Sequence, residues 1–214
     1  EGVVGKRIMH LQCHFGQDSI SLSRMGAEVV GVDLSDQSIT KAKELAIACK
    51  SSAEFVCCDL YDLPNHLEGE FDIVFTSYGT ISWLPDLNRW ASIIEHFLKP
   101  EGKFVFTEFH PVVWMFDDDM KKVGYFYSNQ EPIIETEEGT YADRDASFIS
   151  KDVCWNHGLA EVITALQNHK LAVLDFQEYN HSPYPFIAEM EKVGKGKFQV
   201  KRFGSKVPLV YSIV

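Results

Sequence analysis

The chain lacks most of what would tie it to a membrane, to nucleic acid or to an oxidising compartment. No apolar stretch approaches the roughly 20 residues of a membrane-spanning helix. No signal-peptide pattern opens it; "EGVVGKR" leads directly into a buried-strand pattern. Basic residues are the minority, 20 Lys and Arg against 31 Asp and Glu, for a formal charge of −11. A nucleic-acid binder shows the opposite, a basic face. The nearest approach to one is "KVGKGKFQVKRFGSK" (192–206). It reads as a solvated loop, with a phosphate-binding patch as the other reading. Cysteine is sparse: five residues, without paired spacing. Cys57 and Cys58 are adjacent, and neighbours in a strand point to opposite faces, so they are poorly placed to share a metal. The reducing cytoplasm is the expected compartment.

What is present is a rhythm. The 214 residues, 45% of them hydrophobic, suffice for a single domain (1–214) with a sizeable core. Strands are expected at 7–12, 28–35, 53–60, 71–78 and 102–110; the first is fairly apolar throughout, as parallel strands buried on both faces are. Helices are expected between them: 18–27, closed by Gly26; 35–50, with Ser35 as N-cap; and 86–100, closed by Pro100. Five alternations predict a doubly wound parallel sheet. The rhythm breaks over 111–154. There, two short strands joined by a turn around Asn129–Pro132 predict an inserted β-hairpin over the carboxyl edge of the sheet. A helix over 156–170 and strands at 171–180 and 207–214 follow. No convincing helix separates those two strands, so they are expected to pair antiparallel.

Ligands of open parallel sheets bind beyond the carboxyl ends of the strands, where strand order reverses. Glycine is scarce at the first of these ends. "HLQCHFGQDS" (10–19) holds only Gly16, and Gln12 and His14 stand where glycines would be expected. The turn can present backbone N–H groups to a ligand, or be an ordinary connection. Asp33 ends the second strand 17 residues after Gly16. A carboxylate there can accept from both hydroxyls of a ribose, or cap a helix. Asp59 ends the third strand, where it can accept from the exocyclic amine of an adenine on which Leu60 packs, or form a surface turn. In "FTSYGTISWLPD" (75–86), Ser77 and Tyr78 would flank the reacting end of a ligand and Trp83 would cover it; a packed loop aromatic is the bland alternative.

Taken together, from about Lys6 to His110, these residues resemble the class I S-adenosylmethionine-dependent methyltransferases. The resemblance rests on the order of motifs: the first loop, the acid in "VVGVDLS", the acid in "CCDL", and "LKPEGKFVF" before the fifth strand. That family's first loop usually reads like "DLGCGxG"; here His10 replaces the acid, and "LQCHFGQDS" resembles a recurring bacterial variant. The resemblance implies a Rossmann-like seven-stranded sheet of order 3-2-1-4-5-7-6 with the seventh strand antiparallel. A helix ahead of the first strand would be expected in a domain of this kind. It also implies S-adenosylmethionine as cofactor, held by Gln12, Cys13, His14, Phe15, Gly16, Asp33, Leu34, Asp59, Leu60, Ser77, Tyr78 and Trp83. The expected activity is methyl transfer to a small molecule by in-line displacement, in which the protein mainly aligns the reactants and excludes water.

An acceptor pocket is expected where "TEFHP" (107–111) and "WNH" (155–157) meet. Glu108, Trp155 and Tyr141 of the inserted lid would bind the acceptor, and His110 or His157 would orient the nucleophile or take its proton. Either histidine can instead be part of the framework. Two other functions share some of these features. An NAD-dependent oxidoreductase shares the loop and Asp33, but leaves Asp59 and the late antiparallel pair unexplained. A non-catalytic cofactor-binding module shares the fold itself. A zinc enzyme is disfavoured, because His10, His14, His110 and His157 lack local ligand spacing.

Overall fold

The computed structural model describes residues 2–117, 119–138, 149–187 and 189–214, the side chains of 137–138 and 149–150 excepted. The first half is a strict alternation: β1 (Arg7–Leu11), α1 (Gln17–Arg24), β2 (Glu28–Asp33), α2 (Asp36–Cys49), β3 (Glu54–Cys57), β4 (Phe71–Ser77), α3 (Leu87–Phe97) and β5 (Leu98–Phe109). The remainder comprises β6 (Ile133–Glu138), β7 (Ile149–Cys154), α4 (Leu159–Asn168), β8 (Phe176–Tyr179), β9 (Met190–Gly194), β10 (Lys197–Val200) and β11 (Val210–Ile213). The main sheet runs β3-β2-β1-β4-β5-β11-β8. β1 to β5 pair parallel, and β11 lies antiparallel to both β5 and β8. This is the expected seven-stranded order with its antiparallel last strand.

Strand alternation sends side chains to two helical layers. Met9, Leu11, Val30 and Val32 face the larger core, where α3 contributes Leu87, Trp90, Ala91, Ile94 and Phe97. Those five recur at helical spacing along one stripe, as burial of one helix face requires. Trp90 is completely buried and meets the rings of Phe104 and Phe106 edge-on. On the other face Cys13, Ile20, Ile39, Ala42 and Phe55 form a smaller core under α1 and α2. Ser35 caps α2, its side chain accepting from the Ser38 amide at 3.1 Å, as its position suggested. Asp86 caps α3 by accepting from the Arg89 amide at 3.0 Å.

Three expectations are corrected. α3 stops at Phe97, not Pro100: Leu98 already pairs with Phe71, and Pro100 falls in an irregular stretch before Lys103 pairs with Ile73. The insertion does contain a hairpin, β6 with β7, but residues 129–132 precede its first strand and do not form its turn. Asn129 is used elsewhere: its side-chain oxygen accepts from the Asn156 amide at 2.8 Å, and its own amide donates to the Asn156 carbonyl at 3.0 Å. The Asn156 side chain in turn donates to the Phe126 carbonyl at 2.9 Å, so one buried asparagine moors the insertion. Finally, 192–206 is not simply a loop. It contributes to an antiparallel hairpin of β9 and β10, with Val200 fully buried.

Candidate active site

Strand order reverses between β1 and β4, and the candidate cofactor residues gather beyond the carboxyl ends of β1 to β4. The first loop solves its shortage of glycine by strain. Gln12 and His14 both take left-handed backbone, with φ of 52° and 51°, and Gly16 does so at 68°. The turn therefore keeps a glycine-like path with side chains attached. Left-handed backbone costs a non-glycine residue roughly 1 kcal/mol, and hydrogen bonds hold it here. The Asp33 carboxylate accepts from the His14 amide at 2.7 Å and the Ser35 amide at 3.0 Å. The Gln12 side chain donates to the Thr80 carbonyl at 2.8 Å. Its own Oε1 is buried and has no donor among the described residues.

Gly16 has a reason that the sequence did not reveal. A Cβ there would lie 2.4 Å from the Phe55 ring and 3.0 Å from Ala42. The glycine lets α1 close down on β3, as well as leaving the backbone bare. Cys13 is buried in the same cluster, and burial pushes its thiol up to about 12. It is a core residue whose thiol is not a nucleophile. His14 and Phe15 are exposed, their rings 3.8 Å apart. Leu34 is 70% exposed at the end of β2. Asp59 is exposed and accepts from the Tyr61 amide at 2.7 Å. Leu60 is a correction: it is buried in the main core, turned away from the strand ends. Leu34, exposed beside Asp33, is instead the aliphatic candidate open to pack on a base.

The far wall of the cleft is the turn after β4. Tyr78 has φ of 41° and donates its amide to the Thr107 carbonyl at 2.7 Å. Beyond it the backbone wraps around Glu108. That buried carboxylate accepts from the amides of Gly79, Thr80 (2.7 Å), Ile81 (3.2 Å) and Phe109 (2.7 Å), and from the Thr80 hydroxyl at 3.1 Å. Burial pushes the Glu108 carboxyl up, and these backbone donors pull against that. Expected as an acceptor ligand, Glu108 instead organises the turn. Its signal was invisible in the sequence, because four of its donors are backbone groups, three of them 27–29 residues away.

The two candidate histidines also have their nitrogens engaged. His110 accepts from the Val112 amide at 3.2 Å through Nδ1, so Nε2 carries the proton that it donates to Glu178 at 2.9 Å. Burial holds the His110 imidazole below its usual range, opposed by Glu178. His157 contacts Glu161 at 3.0 Å and the Leu84 carbonyl at 2.9 Å. Both are framework residues in this arrangement. Trp155 donates its amide to the Ser82 carbonyl at 2.9 Å, joining the end of β7 to the β4 turn. Trp83, beside it, is 53% exposed. Tyr141 lies outside the described residues. A hollow of about 740 Å³, lined in part by Lys99, Lys103, Lys170 and Leu174, opens at the other end of the sheet and is remote from all of these groups.

Comparison with known proteins decides the family. Residues 8–102 match the family described as a methyltransferase domain. An uncharacterized methyltransferase of Synechocystis is 30% identical over 168 residues, covering 77% of each chain. The chain belongs to the class I S-adenosylmethionine-dependent methyltransferases. A ubiquinone biosynthesis O-methyltransferase of Idiomarina loihiensis is 29% identical over 107 residues, half of this chain and 44% of that protein. The fold agrees as well. A crystal structure of an S-adenosylmethionine-dependent methyltransferase from Mesorhizobium loti has a TM-score of 0.63 at 20% identity, covering 100% of this chain and 93% of its own. In this chain two strand-end acids, Asp33 and Asp59, flank a first loop in which Gln12 and His14 take left-handed backbone. The residues fit the cofactor: carboxylates after β2 and β3, an open Leu34 beside them, and a buried Gln12 oxygen with no partner among the described residues.

Proposed function

We propose that the protein moves the methyl group of S-adenosylmethionine to a small-molecule acceptor by in-line displacement. One arrangement carries this reading: Asp33 and Asp59 close adjacent parallel strands beside a left-handed loop that follows β1, the strand at which the order reverses. Asp33 would accept from the ribose hydroxyls with the lone pairs left by His14 and Ser35. Asp59 would accept from the adenine amine, with Leu34 against the ring. Gln12 Oε1 would accept from the methionyl ammonium, replacing the acid that His10 displaced. Ser77 and Tyr78 would flank the reacting end, and Trp83 with the insertion, including Tyr141, would exclude water as a lid.

The cofactor itself brings a methyl group activated on a sulfonium. The chain's task is then alignment. His110 and His157 serve it by fixing the ends of β5 and β7 through Glu178 and Leu84, and Trp155 by holding the β4 turn. A proton on the nucleophile would be lost to solvent or to the acceptor itself, because both histidines are already committed.

The test is calorimetric titration with S-adenosylhomocysteine. Asp33→Ala removes two charge-assisted bonds to the ribose, each worth about 1.5–3 kcal/mol, so affinity should fall at least tenfold with the fold intact. Binding of NAD without S-adenosylhomocysteine would overturn the reading.

A further inference from the structure

The lysine-rich stretch 190–206 carries six basic side chains and one acidic in a chain of net charge −11. Two of the six are engaged: Lys201 pairs with Glu189 at 4.0 Å, and Arg202 donates to the carbonyls of Met120 and Lys121. Lys192, Lys195, Lys197 and Lys206 are exposed and form no ion pair among the described residues. The apolar side of the hairpin decides where these charges sit. Val200 and Met190 pack into the cluster of Phe109 and Leu209. Ser182 and Phe198 exchange two backbone hydrogen bonds of 2.9 Å, which hang the hairpin just past the end of β8. β8 runs parallel to β5, through β11. The lysines therefore collect on the carboxyl edge of the sheet, the edge that carries Asp33 and Tyr78.

A cleft of about 360 Å³ opens there, lined by Glu178, Tyr179, Asn180, His181, Ser205 and Lys206, with Pro208. Lys197 stands near His181; after burial, its charge is what holds that imidazole below its usual range. Glu178 is the one acid in the lining, and its Oε1 accepts from His110. From the end of β4 to this cleft is three strand spacings, roughly 14 Å. Rings bridge the gap: Tyr78 meets Tyr184 edge-on at 5.8 Å, and Tyr184 meets Phe109 at 6.0 Å.

We propose that this cleft binds an anionic group, a phosphate or carboxylate, of the methyl acceptor, with Lys206 and Lys197 supplying charge and Asn180, His181 and Ser205 supplying donors. The acceptor is then an elongated molecule, its nucleophile at Tyr78 and its anion at Lys206, with an apolar or aromatic body over the rings between. That the ligand is a methyl acceptor rests on the methyl-transfer reading; that an anion binds here does not.

Phenyl phosphate, inorganic phosphate and phenol are titrated into the protein, with and without S-adenosylhomocysteine. Phenyl phosphate should bind at least tenfold more tightly than phenol, and inorganic phosphate should compete with it. In the Lys197→Gln/Lys206→Gln double variant, phenyl phosphate affinity should fall at least tenfold while S-adenosylhomocysteine affinity and Tm stay put. Equal binding of phenol, or an unaffected double variant, would overturn the site. Lysine-dependent sedimentation with phosphatidylglycerol vesicles, without phenyl phosphate binding, would overturn it in favour of a membrane-surface contact. If phenyl phosphate binds through the two lysines but S-adenosylhomocysteine does not bind at all, the anion site stands and the methyl-transfer reading is what fails.

Discussion

At the scale of the residue, two side chains hold the two walls of the cleft to each other. Glu108 gathers three successive amides of the β4 turn, and the carbonyl of the middle residue, Thr80, receives Gln12. The first loop and the β4 turn are thus a single hydrogen-bonded unit. Glu108→Gln keeps the shape but turns one acceptor into a donor facing backbone N–H groups. Leaving buried donors unmet costs about 2 kcal/mol, so Tm should drop by roughly 4–8 °C for a chain of this size, read by calorimetry. Gln12→Gly separates strain from binding. It relieves a left-handed side chain worth about 1 kcal/mol and deletes a hydrogen bond worth about the same. Stability should change little, yet affinity for S-adenosylhomocysteine should fall severalfold if Oε1 meets the ammonium. Unchanged affinity would assign Gln12 to the turn alone.

At the scale of the element, what was legible followed from burial on two faces. β1, β2 and β4 read as apolar runs because helices cover both sides of them, and the acids Asp33 and Asp59 stood out because they close the runs of β2 and β3. The lysine-rich hairpin was not legible: its inward positions, buried Val200 and half-buried Met190, are outnumbered by cations whose only constraint is to stay in water. The insertion misled through its own turn residues, since Asn129 is spent on mooring to Asn156 and not on reversing the chain. Gly16 shows the same limit, because its closest neighbour, Phe55, lies 39 positions away. Gly16→Ala forces a methyl into that ring at positive φ. Overpacking of about 1–3 kcal/mol plus about 1 kcal/mol of backbone strain should lower the urea midpoint of unfolding clearly. A midpoint equal to wild type would mean that neither the Phe55 contact nor the positive φ costs stability, and that the glycine serves only the ligand.

At the scale of the whole molecule, the buried His10 alters how stability responds to pH. His10 is buried in β1, with Nδ1 2.8 Å from the Ser19 hydroxyl on α1 and its ring beside Phe75. Burial lowers its pKa to about 4, from the 6.5 of an open imidazole. The unfolded chain therefore takes up a proton at this residue as pH falls through 6.5, whereas the folded chain resists until about pH 4. In that window the unfolded state binds more protons, so acid draws the equilibrium toward it. The stability tied to neutral His10 is fully present above pH 6.5 and is lost progressively as pH falls to about 4, a difference of roughly 3 kcal/mol. His110, whose pKa burial also lowers, adds a loss of the same sign. His10→Asn keeps a polar group near Ser19 and cannot titrate. Urea unfolding across pH 4 to 8 should show the variant with a visibly flatter acid limb than wild type, whatever its stability at pH 8. Parallel limbs would mean that His10 gains its proton without opening the fold. The strand that carries the cofactor loop would then be wetter, and less firmly packed on α1, than its burial implies.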